Sequence, residues 1–483
     1  MAVISLSRIL AKWAAIQADQ AAVTIGGESI TWSELESRSN QLARAYQGLG
    51  VTRDDFVTIA LPNGIEFVEA CFATWKLGAT PQPISSRLPK IERDAIIELA
   101  NPRLVVGVED IALDCETLPA EFRPDSDCPD EPLPECTSAN FKAVTSGGST
   151  GRPKLIVMPT PAEYDEDFTY LTIPHRSTVL VPGPLYHNGP FMWMVCALCQ
   201  GNSVLLVHRF DAEDTLRLID QYRVENVYMV PTMMQRIWNL PEPVRSKYDV
   251  SSVTSLMHMA APCPAWLKEV FIDWFGAAVV HELYGGAEGQ GGTFITGEEW
   301  LQHRGSVGKP LADVCEFRIV DDNGRTLPPG EVGEIYMRSS AGAGSTYRYI
   351  GADTKITGDG WDSLGDMGYL DEDGYLYLAD RRTDMILCGG SNVYPAEVEA
   401  AIDACPGVRS SAVIGLPHED MGSSVHAIVD APEADLTEER LLNFLAERLV
   451  RYKLPRSVEF VSEPLRDDAG KVRRRALREA RLS

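Results

Sequence analysis

Short apolar segments alternate with amphipathic helical stretches through most of this chain, and few architectures accommodate that pattern. A helical SELESRSNQLARAYQGLG runs out at Gly48 and Gly50 and gives way to a strand-like DFVTIAL. A second helix over roughly 64–77 leads into the Pro/Gly-rich GATPQPIS. Further on, VLLV (204–207) and VYMV (227–230) bracket a helical DTLRLIDQYRV, which reads as a βαβ unit. Strands alternating with helices predict an α/β sheet protein. The acidic, proline-bearing segment 110–140 predicts an irregular surface excursion. From Arg318 the pattern changes to short strands with turns at Asn323-Gly324 and Asp373-Gly374, the chemistry of hairpins. Past Arg381 a new βαβ-like series begins: AEVEAAIDA as helix, SAVIGL and HAIVDA as strands, then a long helix from Glu438 to Val450. The division is therefore placed at Asp380–Asp384: a large domain over 1–380, a boundary segment at 381–384 and a small domain over 385–483.

A length of 483 residues fits a few domains, or one large and one small. The net charge of −25 disfavours a nucleic-acid binder, which needs clustered cations, and disfavours attachment to anionic membranes. A nucleotide-sized ligand needs only a few local donors and stays open. The apolar stretch around Phe191–Cys199 is about half of the roughly 20 residues that a bilayer requires. Arg8 and Lys12 interrupt the N-terminal MAVISLSRILAKW, which reads as an amphipathic first helix rather than a signal peptide. The ten cysteines form no compact framework. The one CxxC, Cys196 with Cys199, lies in the apolar FMWMVCALC and reads as core. A reducing, cytoplasmic compartment follows as the expectation.

Residues 145–154, TSGGSTGRPK, admit two chemistries. Gly147-Gly148-Ser149-Thr150-Gly151 satisfies G-x-S-x-G, the nucleophile elbow of α/β-hydrolases. That elbow needs a helix starting at once behind the serine, where Pro153 is unwelcome. It also needs a histidine partner, and none of the eight His has a persuasive setting. Alternatively the glycines turn successive N–H groups toward one anion, Ser149 and Thr150 add hydroxyls, and Lys154 adds a point charge. It is not a Walker A loop, because Leu155 follows the lysine in place of Ser or Thr.

TSGGSTGRPK resembles the phosphate-binding signature of the ANL adenylating superfamily, which holds acyl-CoA synthetases, peptide-synthetase adenylation domains and luciferases. Four further segments resemble that family's motifs in its order: YGGAEG (284–289), GWDSLGDMGYLDEDGYLYLADRRTDMI (360–386), GGSNVYPAEVE (389–399) and PLRDDAGKVRR (464–474). The likeness covers essentially the whole chain. It implies a large N-terminal adenylating domain with mixed sheets flanked by helices and a β-barrel-like part, plus a small mobile α+β C-terminal domain. The implied reaction joins a carboxylic acid to ATP, giving an acyl adenylate and pyrophosphate, and then passes the acyl group to a second nucleophile. By this resemblance Ser149, Thr150, Gly151 and Lys154 hold the triphosphate, while Glu288, with Thr150, ligates Mg²⁺. Tyr284 and Gly285 border the adenine, and Asp366 and Arg381 hold the ribose, Asp366 as a buried carboxylate accepting from both hydroxyls. Lys471 swings in during adenylation to meet carboxylate and α-phosphate oxygens, a task suited to a flexible stem with a compact charge.

Tyr186, His187, Asn188 and Phe191, within PLYHNGPFMWMV, fall where the family builds its acyl pocket, with His187 able to orient the carboxylate. TSGGSTGRPK combined with PLYHNGP resembles the branch of bile-acid-type and other bulky-acid CoA ligases. Phe191 and Met194 share a helix side that Trp193 does not, so some of these large residues pack the core. CoA is the favoured acceptor, with Gly389 and Gly390 letting backbone approach the thiol arm. An amine acceptor, giving an amide, is the alternative, and the oligomeric state stays open. Four positions depart from the family pattern: Leu155, Ala287, Leu364 and Thr383, with Asp384 beside the last. None removes Lys471, Glu288 or Asp366.

Overall fold

The computed structural model describes residues 3–111, 115–146, 153–381, 384–388, 391–418, 421–432, 436–467 and 470–482; the side chains of Ser146, Asp380 and Arg381 are excluded. Helix Leu6–Gln17 buries Leu6, Ile9, Leu10, Trp13 and Gln17, one face at helical spacing, so the N-terminal segment is the amphipathic helix its pattern predicts. Helix Trp32–Gly48 begins with a reciprocal Thr31–Glu34 capping box. Among the described residues no helix is long and apolar enough to cross a membrane.

Four sheets build the large domain, the smallest being the antiparallel pair Val3–Ser5 with Glu163–Asp165. A parallel sheet orders strands Thr80–Pro83, Phe56–Ile59, Leu104–Val106 and Glu116–Leu118, the last lying in the acidic segment expected to be irregular throughout. The main sheet begins as a parallel run of Ala21–Ile25, Ser203–Leu206, Thr178–Val181, Asn226–Met229, Ser255–Met259 and Val280–Gly285. Strand 178–181 intervenes between the two strands of the βαβ unit read from the sequence. Beyond Val280–Gly285 the sheet turns antiparallel, through Gly292–Thr296 and Ser306–Pro310. The portion anticipated as barrel-like is an antiparallel continuation of this sheet: Leu376–Arg381, Asp366–Leu370, Gly333–Ser339 and Cys315–Val320. The turn at Asp373-Gly374 closes a hairpin between Asp366–Leu370 and Leu376–Arg381. Asn323-Gly324 likewise reverses the chain: Val320 bridges Thr326 antiparallel and the Asp321 N–H donates to Arg325 O, ahead of the strand 333–339 that pairs with 315–320. The third sheet is a hairpin, Lys142–Ser146 with Lys154–Met158, flanked by Arg348–Ile350.

The C-terminal residues have their own core, with Ile386, Val398, Ile402, Val413, Val425, Leu441 and Leu445 among its members. The βαβ reading of this part holds for strand Gly422–Asp430, helix Glu438–Ala446 and the parallel strand Ser457–Val461, and needs correction before them. Strands Ser410–His418 and Gly422–Asp430 form an antiparallel pair, and Ser457–Val461 adds to the second in parallel. The expected long helix spans Glu438–Ala446 only. Its buried residues are Leu441 and Leu445; beyond Ala446 the chain leaves the helix through the exposed Glu447 and Arg448, while Leu449 still packs on the same core.

Candidate active site

The glycine-rich loop joins two antiparallel strands, with Ser146 opposite Lys154 and Lys142 opposite Met158. Residues 147–152, which include Ser149, Thr150 and Gly151, lie outside the described residues. Their setting nonetheless decides between the two chemistries. A nucleophile elbow delivers the chain from strand into helix. Here the chain returns as the strand Lys154–Met158, so the hydrolase alternative is withdrawn.

Lys154 opens the returning strand. Its ammonium lies 3.6 Å from Glu288 Oε1 and 3.6 Å from the centre of the Tyr349 ring. The Tyr349 hydroxyl donates to the same Glu288 oxygen at 2.7 Å. Burial, with the Glu288 charge beside it, pushes the Tyr349 phenol up, so it stays a neutral donor. Glu288 is buried, which excludes the bland reading of a solvated carboxylate. Its second oxygen, over Gly286, has no hydrogen-bond partner among the described residues. A hard carboxylate oxygen left over beside a lysine suits a magnesium ion that bridges to phosphate. Ala287 packs with Val144, Ile156, Tyr347 and Tyr349, so the hydroxyl lost at this position is replaced by apolar contact. Leu155 is fully buried beneath the hairpin.

Strand Val280–Gly285 carries Tyr284, whose hydroxyl donates to Asp366 Oδ2 at 2.7 Å. Asp366 is half-buried rather than buried, because it begins an edge-proximal strand beside the open turn at Gly365. Leu364 packs in the same cluster as Tyr284, and a Cβ on Gly286 would come within 2.5 Å of its Cδ1. Gly285 is exposed and pairs with Gly292. Arg381 pairs with Asp366 in strand register, which brings the two ribose candidates to adjacent backbone positions; the Arg381 side chain is outside the described set.

At the start of helix Asn188–Cys199, His187 is the N-cap and its ring lies 4.3 Å from that of Tyr186. Phe191 packs against Phe67 and Trp75 with no exposure, which assigns it to the core rather than to a pocket wall. Trp193 and Met194 are equally buried, since this helix is enclosed on all sides. Cys196 and Cys199 are buried too, and burial pushes the Cys196 thiol up to about 12. Among the described residues no group of three or more His, Cys, Asp or Glu is placed to hold a metal.

Lys471 is exposed, on a turn in which its N–H donates to Asp467 Oδ1 at 2.9 Å. Gly470 beside it is buried, because the turn rests on the large domain: a Cβ there would stand 2.8 Å from Thr232 Oγ1. Thr232 lies in the first turn of helix Pro231–Trp238, which follows a strand of the main sheet directly. The turn bearing Lys471 is thereby docked at the carboxyl edge of that sheet, the same edge that carries Tyr284. Gly389, Gly390 and Thr383 lie outside the described residues.

Residues 10–347 match the AMP-binding enzyme family, and residues 397–471 match the AMP-binding enzyme C-terminal domain. The chain belongs to the AMP-binding enzyme family. This AMP-binding enzyme is 32% identical to the feruloyl-CoA synthase of Amycolatopsis sp, covering 93% of the chain and 94% of that relative. It is 29% identical to the long-chain-fatty-acid–CoA ligase FadD13 of Mycobacterium tuberculosis, over 93% of each. The solved o-succinylbenzoate CoA synthetase MenE of Bacillus subtilis, in complex with the acyl-adenylate intermediate OSB-AMP, superposes with a TM-score of 0.81 at 23% identity. That match covers 99% of this chain and 98% of the other. The fold is thus that of the adenylate-forming enzymes.

Sequence reasoning missed four residues that the fold brings to this AMP-binding enzyme's site. Tyr349 comes from the short strand Arg348–Ile350, which has no motif of its own, and Tyr347 directly precedes it. Asp362 is buried, accepts from the Tyr347 hydroxyl through Oδ2 and leaves Oδ1 without a partner. Lys142 is the fourth, and its signal was legible: a cation set among the apolar Phe141, Ala143 and Val144.

Proposed function

We propose that this enzyme is an ATP-dependent, AMP-forming acid–CoA ligase. The carboxylate of the acid attacks the α-phosphorus of ATP, pyrophosphate leaves, and an acyl adenylate remains. The CoA thiol then attacks the acyl carbon and AMP departs. The observation that carries this reading is the Lys154–Tyr349–Glu288 cluster at the exit of the glycine-rich hairpin, beside the Tyr284–Asp366 pair. It sets a cation for phosphate oxygens next to a carboxylate with one free oxygen, in a chain whose relatives are CoA ligases.

Two anions must meet in the first step, so charge has to be neutralised as the transition state forms. Ser149, Thr150, Gly151 and Lys154 hold the triphosphate in this reading. Glu288 and Thr150 hold the magnesium ion, which screens the phosphate charges when bound. Asp366 and Arg381 hold the ribose, Tyr284 borders the adenine, and His187 orients the reacting carboxylate. Lys471 completes the arrangement for adenylation, and Gly389 and Gly390 border the thiol for the second step. The large domain ends near Asp380, and the pivot lies between Arg381 and Asp384. Arg474 pairs with Asp384 at 2.9 Å, which supports grouping Asp384 with the C-terminal part. All ten cysteines are free, which supports a cytoplasmic setting.

The test mixes enzyme, Mg-ATP, a panel of carboxylic acids and either CoA or amines, followed by mass spectrometry. Acid-dependent pyrophosphate, with AMP and acyl-CoA formed in equal amounts, is the expected result. Amide products instead of thioester would overturn the acceptor, and ADP in place of AMP would overturn the adenylation.

A further inference from the structure

Three lysines are buried among the described residues, and two have the partner that a buried cation requires. Lys76 lies 2.6 Å from Glu36 and Lys268 lies 2.7 Å from Glu282. Lys142, 2% exposed, is the exception: its ammonium donates to the neutral Asn188 Oδ1, with no carboxylate in salt-bridge reach among the described residues. Burial pulls its pKa down to about 8, partly offset by Glu288 and Cys196, so it remains mainly charged at neutral pH. An ammonium has three donors, and one neutral acceptor leaves both charge and hydrogen-bonding capacity uncompensated.

Its position says where compensation can come from. Side chains alternate along a strand, so Lys142 shares the face of Val144, which packs against Tyr347, Tyr349 and Ala287. Lys142 therefore points to the site side of the hairpin, while Ala143 points to the opposite core. Along the strand it stands four residues, roughly 13 Å, before the edge at Ser146 that leads into the phosphate loop. Asn188, its anchor, follows His187 directly and opens a twelve-residue helix, whose free N–H groups reinforce the preference for negative charge.

We propose that Lys142, held by Asn188, binds a second oxygen acceptor on the carboxylic acid substrate, remote from the reacting carboxylate, so that the enzyme selects dicarboxylic or oxo acids over plain hydrocarbon acids of equal length. This rests on the ligase reading and narrows its substrate class. The counter-charge that the fold omits arrives with the substrate. An acid lacking that oxygen leaves the ammonium buried and unpaired, which is the situation in which polar sites discriminate most strongly.

The experiment compares three acids of matched length, one hydrocarbon, one oxo and one dicarboxylic, by kcat/KM for pyrophosphate release. Wild type is expected to rank them dicarboxylic, oxo, hydrocarbon. In Lys142→Met the preference for the dicarboxylic over the hydrocarbon acid falls by about 100-fold, through KM for the acid, with KM for ATP unmoved. Lys142→Arg keeps the ranking. Asn188→Ala weakens the preference in the same direction, which tests the idea even where Lys142→Met folds poorly. A wild type that turns over all three without preference overturns the role of Lys142 alone. So does a Lys142→Met defect equal for every acid or confined to ATP. A wild type that releases no pyrophosphate with any acid overturns the ligase reading, and this inference with it.

Discussion

Replacing Gly470 with alanine tests whether the docked turn is the arrangement used for adenylation. Gly470 has φ +76°, where an L side chain costs about 1–2 kcal/mol. That strain belongs to the turn itself and follows it wherever the small domain goes. The second cost is specific to docking. The new Cβ would meet Thr232 Oγ1 at 2.8 Å and Cγ2 at 3.3 Å, both closer than packed atoms sit comfortably. Rotating Thr232 only exchanges hydroxyl for methyl, because the residue is β-branched. Overpacking of this kind costs about 1–3 kcal/mol. If docking is needed for the first half-reaction, that cost appears as a slowing of about 5- to 150-fold. Single-turnover pyrophosphate release reads the first half-reaction, and thioester formation from a synthetic acyl adenylate reads the second. Gly470→Ala is expected to slow the first by that factor and the second by much less. Thr232→Ala removes both close atoms and leaves Cβ at an ordinary 3.6 Å, so the double variant regains most of the lost rate. Equal slowing of both steps, or no rescue by Thr232→Ala, refutes the reasoning.

Lys471→Ala is expected to slow adenylate formation by about 10²–10³, the usual loss for one donor aimed at developing charge, while largely sparing thioester formation from supplied adenylate. Tyr284→Phe removes the hydroxyl that orients Asp366 and should raise KM for ATP by about tenfold, measured at saturating acid. Glu288→Gln should raise the magnesium concentration needed for half-maximal pyrophosphate release, since a charged ligand oxygen becomes neutral. Glu69 is raised from 4.5 to about 7 by burial, against the pull of Arg38. Between those values the native state keeps a proton that the unfolded chain has released, so stability falls as pH rises through that window. Glu69→Gln should therefore shift the urea midpoint upward relative to wild type at pH 8, and the difference should vanish near pH 4.

Much of the fold was legible because its signals are local. The helices beginning at Leu6, Trp32 and Ala212 announce themselves through caps and spaced apolar residues, and the one beginning at Ile65 through a nearly continuous apolar run. Strand pairing is a property of partners far apart in sequence, which is why the antiparallel pair 410–418 and 422–430 was read as part of a βαβ series. The site divides the same way. Lys154, Glu288, Tyr284 and Asp366 stand in contiguous motifs, whereas Tyr349 reaches Glu288 only because its strand pairs with Lys154–Met158. Bulk in the sequence also misled: Phe191 reads as part of the acyl pocket, yet it fills the interior together with Trp193 and Met194. Size tells how much volume a residue takes, and only neighbours tell whether it lines a space or closes one.

The pairing of Lys154 with Glu288 has a consequence for turnover. At rest the cation and the carboxylate screen each other, so the site presents little net field to a lone anion or a lone metal ion. Free phosphate gains the lysine only by stripping it from Glu288, and free magnesium gains the carboxylate only against the repulsion of the lysine. A metal-bound polyphosphate brings both signs at once and exchanges one pair for two. Once pyrophosphate has left, the two side chains would close on each other again. On the proposed roles of the two residues, the cluster would resist clogging by its own product and would favour the nucleotide–metal complex over either component.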